Sequence, residues 1–160
     1  MEATYKKTQT GWIVILSFIP VLLFLSWIIY YQEVVGKPFG DKPAPSSLYL
    51  GLIVFFLLLL ALFSTLTVTG FPTYLEIRYG AGLFRKKFEY QDIRSCSIQK
   101  NHWFYGWGVR KIPGGWLFNV CGSMSVQLDM KNGKMYRIGT DEPEKLVEFI
   151  KSRLSLFGGG

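Results

Sequence analysis

One histidine, His102, and two cysteines, Cys96 and Cys121, are the residues most readily turned to metal or nucleophilic chemistry. A lone histidine cannot build a His-based metal cluster. The cysteines lie 25 positions apart and fit neither a CxxC redox pair nor a zinc knuckle, so they read as two buried thiols. Ser123 and Ser125 lie in no GxSxG elbow, and no GxxxxGK[ST] phosphate loop occurs. Glu89, Asp92 and Asp129 are scattered, while Asp141, Glu142 and Glu144 crowd a helix start, where the helix dipole accounts for them. The expectation is a chain with no catalytic residues, no cofactor, no metal and no small-molecule substrate.

Two basic or aromatic groups remain. Arg85-Lys86-Lys87 follows a glycine turn and is a candidate contact for anionic lipid, although strand alternation sends Arg85 and Lys87 to one face and Lys86 to the other. The run Trp103-Phe104-Tyr105, with Trp107, Arg110 and Lys111 after it, combines residue types that dominate protein interfaces. Three roles are open to it: closing the end of a barrel-like sheet, dipping into a membrane interface, or docking a protein partner. No RNP-like or helix-turn-helix pattern accompanies the basic charge, so nucleic acid is not expected as a partner.

The elements that must position these groups begin in lipid. Only 18% of the 160 residues are charged, against roughly 25% in soluble proteins. Residues 11–31 and 48–69 contain no charged side chain. At ~1.5 Å per residue each is long enough to cross ~30 Å of hydrocarbon. Trp12, Trp27, Tyr30, Tyr31 and Tyr49 lie toward the ends, where amphipathic rings favour the headgroup layer. Pro20 should kink the first span modestly, with Ser17 offsetting the lost hydrogen bond. The first span is too long for a signal-peptide core and no small-x-small cleavage site follows it, so it reads as a retained anchor. The spans hold no ionisable group of the kind a transporter needs at membrane depth.

Four of the 18 Lys and Arg residues, Lys6, Lys7, Lys37 and Lys42, precede Gly70, which leaves 14 after it against 8 acids. This asymmetry predicts an N-terminal tail over 1–10 and a C-terminal domain over 70–157 on the cytoplasmic side, with linker 32–47 outside and a glycine tail over 158–160.

Beyond Gly70 the pattern becomes short alternating runs broken by turn signals, the signature of a half-exposed antiparallel sheet. Seven strands are predicted, over 73–79, 83–90, 94–100, 108–112, 116–120, 125–130 and 134–138. Asn132-Gly133 between the last two suits a type I′ hairpin. Asp141 as N-cap, Pro143 in the first turn and Glu144 predict a helix running to about Leu156, with Leu146, Phe149, Ile150 and Leu154 on its apolar face.

Seven antiparallel strands closed by one C-terminal amphipathic helix is the order of the pleckstrin-homology (PH) fold. The chain resembles bacterial PH-like domains carried on small two-span membrane proteins, particularly in WFYGWGVRKIPGGWLFNV (103–120) and YRIGTDEPEKLVEFI (136–150). The resemblance implies a membrane helical hairpin plus a mainly-β PH-like domain, a seven-stranded bent sheet or partly open barrel plugged by its helix. It also implies a place in the bacterial inner membrane. The function expected is a membrane-anchored interaction or scaffolding module with a protein partner. The alternative is a permanent accessory subunit of a larger membrane complex, and anionic-lipid binding is the third reading.

The orientation is directly testable. With Cys96 and Cys121 replaced, a membrane-impermeant maleimide applied from outside should label Ser46→Cys and spare Ser152→Cys; the reverse pattern would invert the topology.

Overall fold

The computed structural model describes residues 4–102 and 105–157. Strand β1 (Tyr5–Thr10) leads directly into helix α1 (Trp12–Glu33). A short connection returns through α2 (Ser46–Phe63) to β2 (Thr65–Gly70). Both helices are long and apolar enough to cross a membrane. They pack on each other through contacts that include Phe18 and Phe56, whose rings are 5.6 Å apart. Helix α1 runs through Pro20, and the Ser17 hydroxyl donates to the Val14 carbonyl at 2.8 Å. It does not take the Leu16 carbonyl that Pro20 frees, so the expected compensation is absent.

Six more strands follow β2 in quick succession: β3 (Tyr74–Tyr79), β4 (Phe84–Glu89), β5 (Ile93–Lys100), β6 (Gly108–Ile112), β7 (Gly115–Asn119) and β8 (Met124–Met130). Then come β9 (Met135–Gly139) and helix α3 (Pro143–Phe157). A single 3-10 turn, Tyr90–Asp92, separates β4 from β5. The strands form two sheets, one in the order β1-β2-β3-β4 and one in the order β5-β8-β9-β7-β6.

Each of the seven predicted strands has a counterpart in β3 to β9, but the described residues hold nine strands in all. Within the predicted N-terminal tail Tyr5–Thr10 form β1, and residues 65–69, assigned to the second span, belong to β2. In Thr65-Leu66-Thr67-Val68-Thr69 the β-branched residues and the alternation of period two favour a strand. An uncharged hydrophobic window cannot register that alternation. The sheets are also not wholly antiparallel, since β7 and β9 pair in parallel. Strand β9 lies between β8 and β7 because the β7–β8 connection crosses over instead of forming a hairpin. Buried Asn119 braces this corner: its Oδ1 accepts the Cys121 amide at 3.2 Å and its Nδ2 donates to the Gly122 carbonyl at 3.1 Å. Gly139 must be glycine here, since a Cβ would overlap the Asn119 side chain.

The inner faces of both sheets meet in one core around Leu66, Ile77, Phe88, Phe118, Leu128 and Ile138. Helix α3 covers one opening, burying Pro143, Leu146, Val147 and Ile150. Of the predicted face, Phe149 and Leu154 are only partly buried. Phe149 stacks on Tyr5 at 5.1 Å and covers Gly70, where a Cβ would strike its ring. Burial pushes the Tyr90 hydroxyl up to about 12 against the opposing charge of Arg153. The Thr140 hydroxyl, not the Asp141 carboxylate, takes the Glu142 amide at the start of α3.

Asp141 and Glu142 instead tie α3 to β1, lying 3.4 and 2.9 Å from Lys7 Nζ. The hydrogen bond from Lys7 is the main reason that the Glu142 carboxyl is held below its ordinary value, and the same bond raises Lys7. The tie is therefore intact between the ordinary Glu and Lys values of ~4.3 and ~10.4. It is lost as pH falls through the lowered pKa of Glu142, or rises through the raised pKa of Lys7.

Two outcomes follow. Residues 12–63 replaced by Asn-Gly should yield a folded, soluble domain, because Thr10 already faces Thr65 across a ladder that a two-residue turn can close. A chain starting at Phe71 lacks β1 and β2 and should fail to give a cooperative melt. In the full chain, amide exchange in β1, corrected for intrinsic rates, should accelerate below about pH 4, and Lys7→Met should remove that pH dependence.

Candidate functional site

The helical hairpin and the sheets are joined without a flexible linker. The Gly11 amide donates to the Ser64 carbonyl at 2.6 Å, which extends the β1–β2 ladder to the first residues of the helical region. The β3–β4 turn is wedged beneath α2: Gly80, at φ +49°, lies so close that a Cβ would overlap the Ala61 carbonyl oxygen. On the other sheet the Tyr79 hydroxyl reaches the Gly108 and Asn119 carbonyls at 3.2 and 3.4 Å. Desolvation by burial holds that hydroxyl protonated, with its pKa raised well above the ordinary value. The domain thus has a fixed helix-proximal end and a fixed far end.

The basic triplet does not act as a unit. Arg85 lies at the helix-proximal turn, where its Nε donates to the Gly82 carbonyl at 2.7 Å. Lys86 turns inward, with Nζ 4.6 Å from the centroid of the Tyr136 ring. Lys87 lies over Tyr74 at 4.7 Å. The partner that Arg85 does find is Arg78, directly opposite it in the β3–β4 register. Both guanidinium groups border the same point beside Gly82, at 3.1 to 3.3 Å from where a Cβ would stand. Leu83, 79% exposed, forms the tip of this turn. Arg78 was legible by counting outward from the glycine turn: if Tyr79 faces Phe84, Arg78 must face Arg85.

The aromatic stretch is divided as well. Trp103 and Phe104 lie outside the described residues. Tyr105 is half-buried, and its ring meets His102 edge-on at 5.9 Å. Trp107 and Arg110 border a groove of about 510 Å³ whose other walls are α1, through Ile13, Val14 and Phe18, and α2, through Leu59 and Phe63. The Arg110 Nε donates to the Trp107 carbonyl at 3.1 Å. Gly106 and Gly108, at φ +65° and +98°, supply the left-handed backbone that lets this loop turn back beside the helices.

Lys111 alternates to the opposite side of β6 and belongs to a second cleft at the far end. It faces Trp116 across the β6–β7 hairpin. Lys134, Met135 and Tyr136 complete a cavity of about 380 Å³. Trp116 is 44% exposed there, and Lys86 approaches the same Tyr136 ring. Trp116, Lys134 and Tyr136 were not singled out in the sequence, because the parallel β7–β9 pairing that joins them is not visible in it. Among the described residues the salt bridges are those of Lys7 with Asp141 and Glu142 and of Lys145 with Glu142, so the cations of both clefts have no carboxylate partner there.

The cysteines are free thiols, both partly buried against the core. Desolvation raises the Cys96 pKa, which keeps that thiol protonated and poorly nucleophilic at neutral pH. No protein-family model matches the chain, and a search of curated proteins finds no match to it.

Proposed function

We propose that this protein is a membrane-anchored interaction module, without catalytic activity, whose PH-like domain presents a basic and aromatic cleft to an acidic segment of a protein partner at the cytoplasmic face. The observation that carries this reading is the far-end cleft, where Lys111 and Lys134 flank exposed Trp116 with no carboxylate among the described residues paired to them. Tryptophan supplies a large rigid contact area, and unpaired cations favour an oppositely charged partner. Two sheets with an amphipathic helix across one opening support the PH-like assignment; the parallel β7–β9 pair and two added strands are departures from it. The orientation rests on charge: with Lys6 and Lys7 now in β1, 16 of the 18 Lys and Arg residues lie on the domain side of the helices.

The alternative, an accessory subunit held through its spans, draws on α2, none of whose residues is buried. A photo-crosslinking residue in place of Trp116 separates the two in intact membranes. The expected result is a protein adduct at 116 that disappears when Lys111→Glu and Lys134→Glu are added, with membrane levels unchanged. Adducts only from α2 positions such as Val54 or Leu57 would favour the accessory subunit. An adduct at 116 indifferent to both charge reversals would remove the cleft from the interaction.

A further inference from the structure

We propose that the groove between α1, α2 and β6 is a binding site for a single bilayer phospholipid, with an acyl chain against the helices and the phosphate at Arg110. This rests on α1 and α2 being membrane spans and is independent of the far-end partner cleft. The groove's volume of about 510 Å³ falls within the ~300–1,000 Å³ range of ligand sites.

Its two ends differ chemically in the way a phospholipid does. Ile13, Val14 and Phe18 come from the first turns of α1, and Leu59 and Phe63 from the last turns of α2, so the apolar wall opens where acyl chains lie. At the domain side stand Trp107 and Arg110. The indole, 37% exposed, suits the headgroup layer. Arg110 commits its Nε to the Trp107 carbonyl, which leaves both terminal nitrogens for phosphate oxygens. Among the described residues it has no carboxylate partner.

A smaller cavity of about 150 Å³ adjoins the groove and shares Ile13 and Trp107 with it. It is lined by Asn101, 5% exposed, whose Oδ1 accepts from the Ser125 hydroxyl while Nδ2 has no hydrogen-bond partner among the described residues. Buried amide donors are rarely left unpaired. A glycerol or ester oxygen of the headgroup region supplies the missing acceptor. A partner's apolar helix would match the wall but leave Asn101 and Arg110 unanswered.

Native mass spectrometry of the full chain in non-ionic detergent tests this with three probes: dioleoyl phosphatidylglycerol, dioleoylglycerol and glycerol 3-phosphate. The expected result is one saturably retained phosphatidylglycerol, with the tail-only and phosphate-only probes bound far more weakly. Arg110→Gln should weaken retention by about tenfold or more. Val14→Trp, which fills the groove, should abolish it. Both variants should keep the wild-type melting midpoint, so that a lost site is distinguished from a lost fold. Glycerol 3-phosphate binding as tightly as the lipid would reassign the site to free phosphate and overturn the proposal. So would absence of saturable phosphatidylglycerol binding, or retention unchanged in both variants.

Discussion

The ladder between β1 and β2 is the constraint on which the rest of the molecule depends. Its last rungs, Thr10 opposite Thr65 and the Gly11 amide on the Ser64 carbonyl, fix the spacing at which two long apolar helices leave the sheet. A side chain at position 11 would press on the Val120 and Ser64 carbonyls, so glycine permits this close approach. Gly80 under the end of α2 and Tyr79 across to β6 and β7 brace the same end from two other directions. Buried Gln9 adds a fourth tie, its Nε2 donating to the Gly139 carbonyl at 2.8 Å. The helix ends therefore meet the sheets in direct contact, at Gly11 beside Ser64 and at Gly80 beside Ala61.

Much of the architecture was legible because it is written in local chemistry. Alternation and glycine turns locate β3 to β9, and an apolar face following Pro143 locates α3. What escaped depends on partners distant in sequence. Tyr5–Thr10 is polar and short, and only pairing with residues some sixty positions away makes it a strand. At Cys121-Gly122 the chain crosses over, since β9 fills the place next to β7, and nothing local to these residues announces it. A buried asparagine at 119 was the residue that could have warned of an irregular corner.

The candidate sites show the same limit. Neighbours in sequence suggested two patches, Arg85 to Lys87 and Trp103 to Lys111, but strand geometry sends adjacent side chains to opposite faces. Arg110 and Lys111 consequently serve different cavities at opposite ends of β6. Arg78 joins Arg85 from the facing strand. Residue type identified what could bind, and register decided which residues can bind together.

Pairing β1 with β2 also has a consequence for biosynthesis. Strand β1 leaves the ribosome before β2, yet β2, its sheet neighbour among the described residues, follows both apolar helices, more than fifty residues later. The first sheet cannot close until the intervening chain has been made, and if both helices cross a membrane as proposed, the two strands meet only when the number of crossings is even. A chain in which one helix fails to integrate would strand the two edges on opposite sides of the bilayer, with Leu66 and Val68 unburied. On the proposed topology, completion of the first sheet would depend on correct insertion, since a misthreaded copy would leave β1 and β2 unpaired.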